Sequence, residues 1–481
     1  MIPITKLRTG TLAMATAGLL SGCSVNPGGA FQGVRDNVFS RTGDEVLWVR
    51  STEGAVDAAS AVRSLLRKQL TADSAAQIAL LNNRRLQVEF EEIGIAQADY
   101  VQAGLLSNPE FTASVRWPHR PPSGPNSEFS VAQNFIDLLL LPLRKNVAAR
   151  ELDLAKLRVS GRILEFVANT KIAFYNLQAK QQLLRNLQVN EQANETAADL
   201  AKKIHEAGNI PDLDLANQQA LYTQSRVDVS QTEAQIRAAR ERLNRLMGVW
   251  GKDVNWETGD QLPAIPAKEA ALANLEKTAL EHRLDVAAAR LRVEAAALSL
   301  GLTASTRLLP VGVDAGVNTE RETGAQRTGP TLSLRLPVFD QGKARLARSQ
   351  SQYRQAQREY EALAVEARSE VREARALVTS NRELARYYKD VLLPQREQVV
   401  NQTQLHYNVM GRGPFELITT KERLMETGRD AIEAVRDYWI ARVELQQALL
   451  GGSPRGAAGE GLRDRRPPRD AASGEAEKNN R

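Results

Sequence analysis

The chain has 481 residues, 42% of them hydrophobic, yet only 5% are aromatic and 25% are charged, a balance that favours long solvated helices over a thick globular core. The formal net charge of +6 does not read as a nucleic-acid surface. Lys6 and Arg8 with the tail after Gly452 hold most of it and leave about +2 for everything between.

Lys6 and Arg8 precede an apolar run from Leu12 to Leu20, which ends in Leu20-Ser21-Gly22-Cys23. A basic start, a short apolar run and small residues at the cut describe a secretory signal over residues 1–22, too short to span a bilayer as a mature helix. Cys23 is the single cysteine, so no internal disulfide is possible. No later apolar run reaches the roughly 18 residues of a transmembrane helix, and a membrane crossing would therefore have to use strands.

Residues 23–70 start flexibly at Asn26-Pro27-Gly28-Gly29 and become helical over about 55–70. A helix is expected from a Thr71 cap to about Gly104. Phe111, Ala113, Val115 and Trp117 then alternate with Glu110, Thr112, Ser114 and Arg116, and Phe129, Val131 and Phe135 with Glu128, Ser130 and Asn134. Period two predicts strands over about 108–117 and 127–136, each with one apolar and one polar face, joined by a loop from Pro118 to Asn126. A rod follows from Arg144, with Val159, Ile163, Phe166, Thr170, Ala173 and Leu177 opening a coiled-coil stripe. It turns at residues 208–211, Gly208-Asn209-Ile210-Pro211, and returns to Met247 with Leu213, Ala220, Val227 and Ala234 as a narrow seam. Residues 248–266 read as a linker packed beside the rod.

The second half repeats the first at an offset of about 200 residues: Pro109 and Pro310, Ser130 and Ser333, Asp137 and Asp340, Leu213-Asp214-Leu215 and Phe415-Glu416-Leu417. Residues 71–247 and 267–451 thus form two copies of helix, strand, loop, strand and long helical hairpin. The second copy predicts a helix over about 267–305, strands over about 311–318 and 330–338 around a polar loop Thr319 to Gly329, and a rod kinked at Pro394. Its turn falls at residues 410–414, and Leu417, Leu424, Ala431, Tyr438 and Leu445 form the returning seam. Residues 452–481, rich in Gly, Pro, Arg and Glu, read as a disordered tail.

Four amphipathic strands cannot close a barrel, and a sheet with open edges cannot sit in lipid. Three copies would pool twelve strands, with apolar side chains toward lipid and polar ones toward water. The expected fold is therefore an α+β membrane protein: a homotrimer whose strands form one β-barrel, continued by an α-helical tunnel. No P-loop, dinucleotide fingerprint, Ser elbow or HExxH occurs, so no catalytic residue is proposed and an enzyme is not expected.

The layout resembles the TolC family of outer-membrane channels over about Leu70 to Gly451. The phrases that carry the resemblance are Leu80-Leu81-Asn82-Asn83, Ala103-Gly104-Leu105-Leu106-Ser107-Asn108-Pro109, Leu336-Pro337-Val338-Phe339-Asp340-Gln341-Gly342 and Leu392-Leu393-Pro394-Gln395. Leu-Ser-Gly-Cys resembles a lipobox, which implies a covalent lipid on Cys23, a Gram-negative outer-membrane location and no other cofactor. The resemblance implies a tripartite efflux or type I secretion system, with a periplasmic adaptor and an inner-membrane pump as partners and outer-membrane lipid around the barrel. Adaptor docking would fall on the two hairpin turns, at Gly208, Pro211, Asp212, Leu213, Asp214, Gly411, Pro414, Phe415 and Glu416. Gating would use Glu206, Asp212, Asp214, Arg412 and Glu416 as candidates for pairs between the tips. Two departures stand out: Met410 occupies the position of the usual tip glycine, and Arg412 that of an acidic entrance residue. His205 and His406 each precede a tip by one turn and read as solvent-exposed helix residues, with no metal site. A periplasmic coiled-coil lipoprotein that forms no pore explains the rods and Cys23 but not four duplicated strands. Metal ions, drugs, dyes and a secreted polypeptide all remain compatible as cargo.

Overall fold

The structure, a computed structural model, describes residues 28–117, 125–267, 274–307, 313–322, 325–334, 338–409 and 411–453. The signal peptide, Cys23, Met410 and the tail beyond Ser453 lie outside the described residues. Two compact units divide the chain, one of residues 28–37, 88–159 and 287–363, the other of 38–87, 160–286 and 364–453.

The first unit carries the strands β1 (Glu110–Arg116), β2 (Asn126–Asn134), β3 (Val313–Glu322) and β4 (Ala325–Leu334). They form one antiparallel sheet in the order β1-β2-β3-β4, so β1 and β4 are its edges. The expected polar loop 319–329 is instead the end of a long hairpin: Thr319 pairs with Thr328, Glu320 with Arg327 and Arg321 with Gln326. Both faces of this stretch are polar, so the period-two signal that marks a half-buried strand is missing while the backbone ladder continues. β2 stops at Asn134, whose Oδ1 accepts from the backbone amides of Ile136 and Asp137 and starts the next helix. Helix α1 (Gly28–Thr42), unexpected from its glycine-rich start, contributes Phe31 to this unit; its ring centroid lies 5.1 Å from that of Phe90.

The long helices are α5 (Ile136–Glu206) and α6 (Asp212–Met247) in the first repeat, and α9 (Lys343–Tyr387), α10 (Leu393–Asn408) and α11 (Pro414–Leu450) in the second. The 71 residues of α5 make a rod of about 107 Å at 1.5 Å per residue. It starts earlier than expected and takes Pro142 inside, in its second turn. The kink expected at Pro394 takes the form of a π-helical turn over Tyr388–Leu392, which widens the backbone just before the residue that lacks an amide hydrogen. The α11 seam holds, with Leu417, Ala431, Tyr438 and Leu445 buried. The α6 seam does not. Leu213 and Val227 are exposed, and the buried stripe is Gln218, Ser225, Val229 and Thr232. Polar side chains short enough to pack closely occupy the inner face, and hydrophobic spacing alone selected the outer one.

The two shorter expected helices are each broken once. The first divides into α3 (Ala72–Asn82) and α4 (Arg84–Ala103) at Asn83, the second into α7 (Leu275–His282) and α8 (Leu284–Thr306) at Arg283. The Asn83 side chain works in both directions: its Nδ2 donates to the carbonyls of Arg245 and Leu246 at the end of α6, while its Oδ1 accepts from the amides of Arg85 and Leu86. Asn82 Nδ2 donates to the carbonyls of Met247 and Gly248. Four carbonyls at a helix end, which have no partner within their own helix, are thereby satisfied. Helix α2 (Thr52–Leu66) is capped by Ser51, whose side chain accepts from the Gly54 amide. The second unit's core gathers Leu70, Ile78, Phe174, Leu177, Leu243, Met247 and Trp256. Trp256, from the linker, is 1% exposed, donates to Asn244 Oδ1 at 2.9 Å and lies under the Arg240 guanidinium.

Candidate functional site

Two regions are the candidates for function, the faces of the sheet and the tips of the hairpins. On one face of the sheet stand Phe111, Ala113, Val115, Phe129, Val131, Val313, Ala315, Val317, Leu332 and Leu334, as the register dictates. Among the described residues most of this face is open: Phe111 is 65% and Leu332 64% exposed, and Phe111 stacks on Phe129 with centroids 6.4 Å apart. Trp117, just past β1, is 77% exposed. Large uncovered apolar faces on a soluble protein are rare.

The opposite face is polar and cross-linked. Glu128 and Glu320 stand directly opposite each other on β2 and β3. Asn318 Nδ2 donates to Glu128 Oε1 at 2.9 Å, Asn126 Nδ2 donates to Glu320 Oε1 at 3.1 Å, and Arg116 lies 3.7 Å from Glu128 Oε2. Among the side chains described on this face, the carboxylates of Glu110, Glu128, Asp314 and Glu320 outnumber the guanidinium groups of Arg116 and Arg327.

At the first tip α5 closes through a glycine. Gly208 has φ +74°, the amide of Asn209 donates to the carbonyl of Ile204 at 3.0 Å, and that of Gly208 to His205 at 2.7 Å. This is the left-handed helix stop that glycine accepts without a Cβ penalty. Pro211 then sets an extended residue before α6, whose first turn carries Asp212 and Asp214 at the positive end of the helix dipole. At the second tip the Gly411 amide donates to the His406 carbonyl at 2.8 Å, and α11 starts at Pro414 with Glu416 in its first turn.

Among the described residues each tip closes a pair of its own. Arg412 Nη1 lies 2.7 Å from Glu416 Oε1, four residues on, and His205 Nε2 lies 3.2 Å from Asp212 Oδ1. Local reach decides this, as side chains four residues apart or facing across a tight turn meet first. His205 is therefore not a free surface residue, contrary to expectation. Its Nδ1 also lies 3.1 Å from the Ile210 carbonyl oxygen. Spacing alone hid this contact, because it depends on how the turn folds back. Leu213 is 68% exposed at the same tip, and Glu206, Pro211 and Gly411 are exposed as well. No cluster of three or more His, Cys, Asp or Glu suited to a metal occurs among the described residues.

The family model described as "Outer membrane efflux protein" matches residues 75–249 and 275–452. The chain is 23% identical over 385 residues to the cobalt-zinc-cadmium resistance protein CzcC of Cupriavidus metallidurans, covering 79% of this chain and 86% of that protein. In structure it is similar to the CmeC outer membrane channel of Campylobacter jejuni, with a TM-score of 0.69, 13% identity, and 79% and 86% of the two chains covered. It is also similar to the outer membrane protein VceC of Vibrio cholerae, with a TM-score of 0.65, 18% identity, and 79% and 96% covered. The open edges of β1 and β4 fit the barrel of this fold, which three chains form together and a helical tunnel continues. The chain belongs to the outer membrane efflux protein family, and it is a passive channel of the outer membrane rather than an enzyme.

Proposed function

We propose that the channel is the exit duct for divalent transition-metal cations in a tripartite efflux system. The observation that carries this reading is the acidic excess on the polar strand face, where Glu128 and Glu320 oppose each other and, among the side chains described, four carboxylates stand beside two guanidinium groups. In the trimer the apolar face meets lipid and the polar face lines the water-filled bore, so the excess favours cations along the exit path. The name of the relative CzcC points the same way. The partners in this reading are a periplasmic adaptor, gripping the tips at Gly208, Pro211 to Asp214, Gly411 and Pro414 to Glu416, and an inner-membrane pump. Glu206, Asp212, Asp214, Arg412 and Glu416 remain the gating candidates, and Cys23 carries the lipid that anchors the mature chain.

A deletion strain screened against zinc, cobalt and cadmium salts beside dyes and detergents tests the cargo. Hypersensitivity to the metals alone, restored by the wild-type gene, is the expected result. Hypersensitivity confined to organic toxicants would overturn the metal reading and leave the channel assignment intact.

A further inference from the structure

Both ring nitrogens of His205 face hydrogen-bond acceptors, the Ile210 carbonyl oxygen at 3.1 Å from Nδ1 and Asp212 Oδ1 at 3.2 Å from Nε2. A neutral imidazole carries one N–H, so it can donate to one of these oxygens and must present a lone pair to the other. The imidazolium donates to both. The arrangement is thus complete only with the ring protonated, and imidazole is the side chain that ordinarily changes charge between pH 5 and 8.

The position of these acceptors gives the contact its consequence. His205 stands in the last turn of α5, Ile210 in the turn itself and Asp212 in the first residue of α6. The ring therefore straps the two helices together across the left-handed Gly208. The surrounding charges on α5 are Lys202, Lys203 and Glu206, and on α6 Asp212 and Asp214; the second tip keeps Arg412 and Glu416 paired with each other. The Asp212 side chain is 96% exposed, so water takes its oxygens when the ring stops donating. Among the described residues the corresponding ring of the second tip, His406, has no such pair of acceptors, and its residue joins the turn through its backbone carbonyl.

We propose that His205 is a pH-responsive strap that fastens the first tip when protonated and loosens the turn presenting Pro211 to Leu213 when it loses the proton. The proposal rests on the reading of this tip as the adaptor-docking turn, and it adds that the docking surface becomes more ordered as the periplasm acidifies.

Hydrogen exchange of residues 207–214 in the detergent-solubilised full-length trimer, corrected for intrinsic rates between pH 5.5 and 8, reads the strap directly. Wild type should be about fivefold more protected at the acid end, the upper worth of one solvent-exposed charged pair. His205→Arg, always charged and able to donate to both oxygens, should keep acid-like protection throughout, and His205→Gln should show alkaline-like protection throughout. Residues 411–416 should not change in either variant. A flat wild-type profile, or a pH step retained in His205→Gln, would overturn the strap. In cells, zinc tolerance restored by His205→Gln should fall below wild type at acid pH only. A strap seen by exchange with no such difference would overturn its role in docking. Failure of the docking reading itself shows separately, as full tolerance in a Leu213→Asp channel.

Discussion

Arg283, between α7 and α8, is the most deeply buried charge described in the helical unit, with a side-chain exposure of 0%. Its Nε and Nη2 donate to the two oxygens of Asp285 at 3.0 and 2.7 Å, and its Nη1 donates to Glu370 Oε2 on α9 at 2.9 Å. Ser453, just past α11, donates to the other Glu370 oxygen at 2.6 Å. Burial alone disfavours the cation, but the hydrogen bonds and charges of Asp285 and Glu370 outweigh it and raise the guanidinium above its ordinary value. Arg283→Met keeps the aliphatic stem and removes all three bonds, leaving carboxylates with 29% and 10% side-chain exposure and no cation. Breaking a buried pair from one side costs about 3–5 kcal/mol, and the partial exposure of Asp285 places this case near ~3 kcal/mol, about 150-fold in local opening. Hydrogen exchange of peptides covering 276–290 and 366–374 measures it in the intact trimer. The triple change Arg283→Met, Asp285→Asn, Glu370→Gln should recover most of the loss, since an apolar or neutral replacement of a whole buried cluster is often tolerated. Unchanged exchange in Arg283→Met, or a triple variant no better than the single, would refute the reasoning.

Gly248→Ala should lower the thermal midpoint markedly, because φ is +69° and the new Cβ would meet the Asn82 carbonyl oxygen at 2.9 Å, together about 2 kcal/mol or more. Gly208→Ala, with φ +74° but nothing within 4 Å, should show the backbone strain alone, about 1 kcal/mol. Equal midpoints for the two would contradict the packing argument. Burial raises the Glu422 carboxyl above its ordinary value, so the folded chain holds this proton more tightly than the unfolded chain and loses stability as pH rises through the raised value. Glu422→Gln should accordingly raise the melting midpoint at about pH 7.5 and leave it unchanged at about pH 3, where both states are protonated. Glu128→Gln with Glu320→Gln should shift the reversal potential across a potassium chloride gradient toward anions, and an unshifted potential would remove these residues from the exit path's selectivity.

The rods and the paired strands were legible because their periods, seven and two, are set by burial on one side, and burial leaves a hydrophobic record. The channel family was legible from the duplication and from local phrases such as Ala103 to Pro109. What the pattern concealed was structure held by polar groups. The strand ladder beyond Thr319 has no apolar face, and the helix breaks at Asn83 and Arg283 are set by side chains that satisfy backbone carbonyls or buried carboxylates. The inner stripe of α6 is Gln218, Ser225 and Thr232, invisible to a search for apolar spacing. At the tips, the glycine and proline announced the turns, but the His205 contact with Ile210 and Asp212 exists only once Gly208 reverses the chain. An alignment of the halves would have pointed to Asn83 and Arg283, since the two fall at matching places in the repeat.

The channel assignment is tested most directly by conductance of the purified protein in planar bilayers, with its assembly state read from the same preparation. A heat-resistant trimer that opens water-filled, ion-conducting pores is the predicted result. A soluble monomer that leaves the bilayer's conductance unchanged would contradict it.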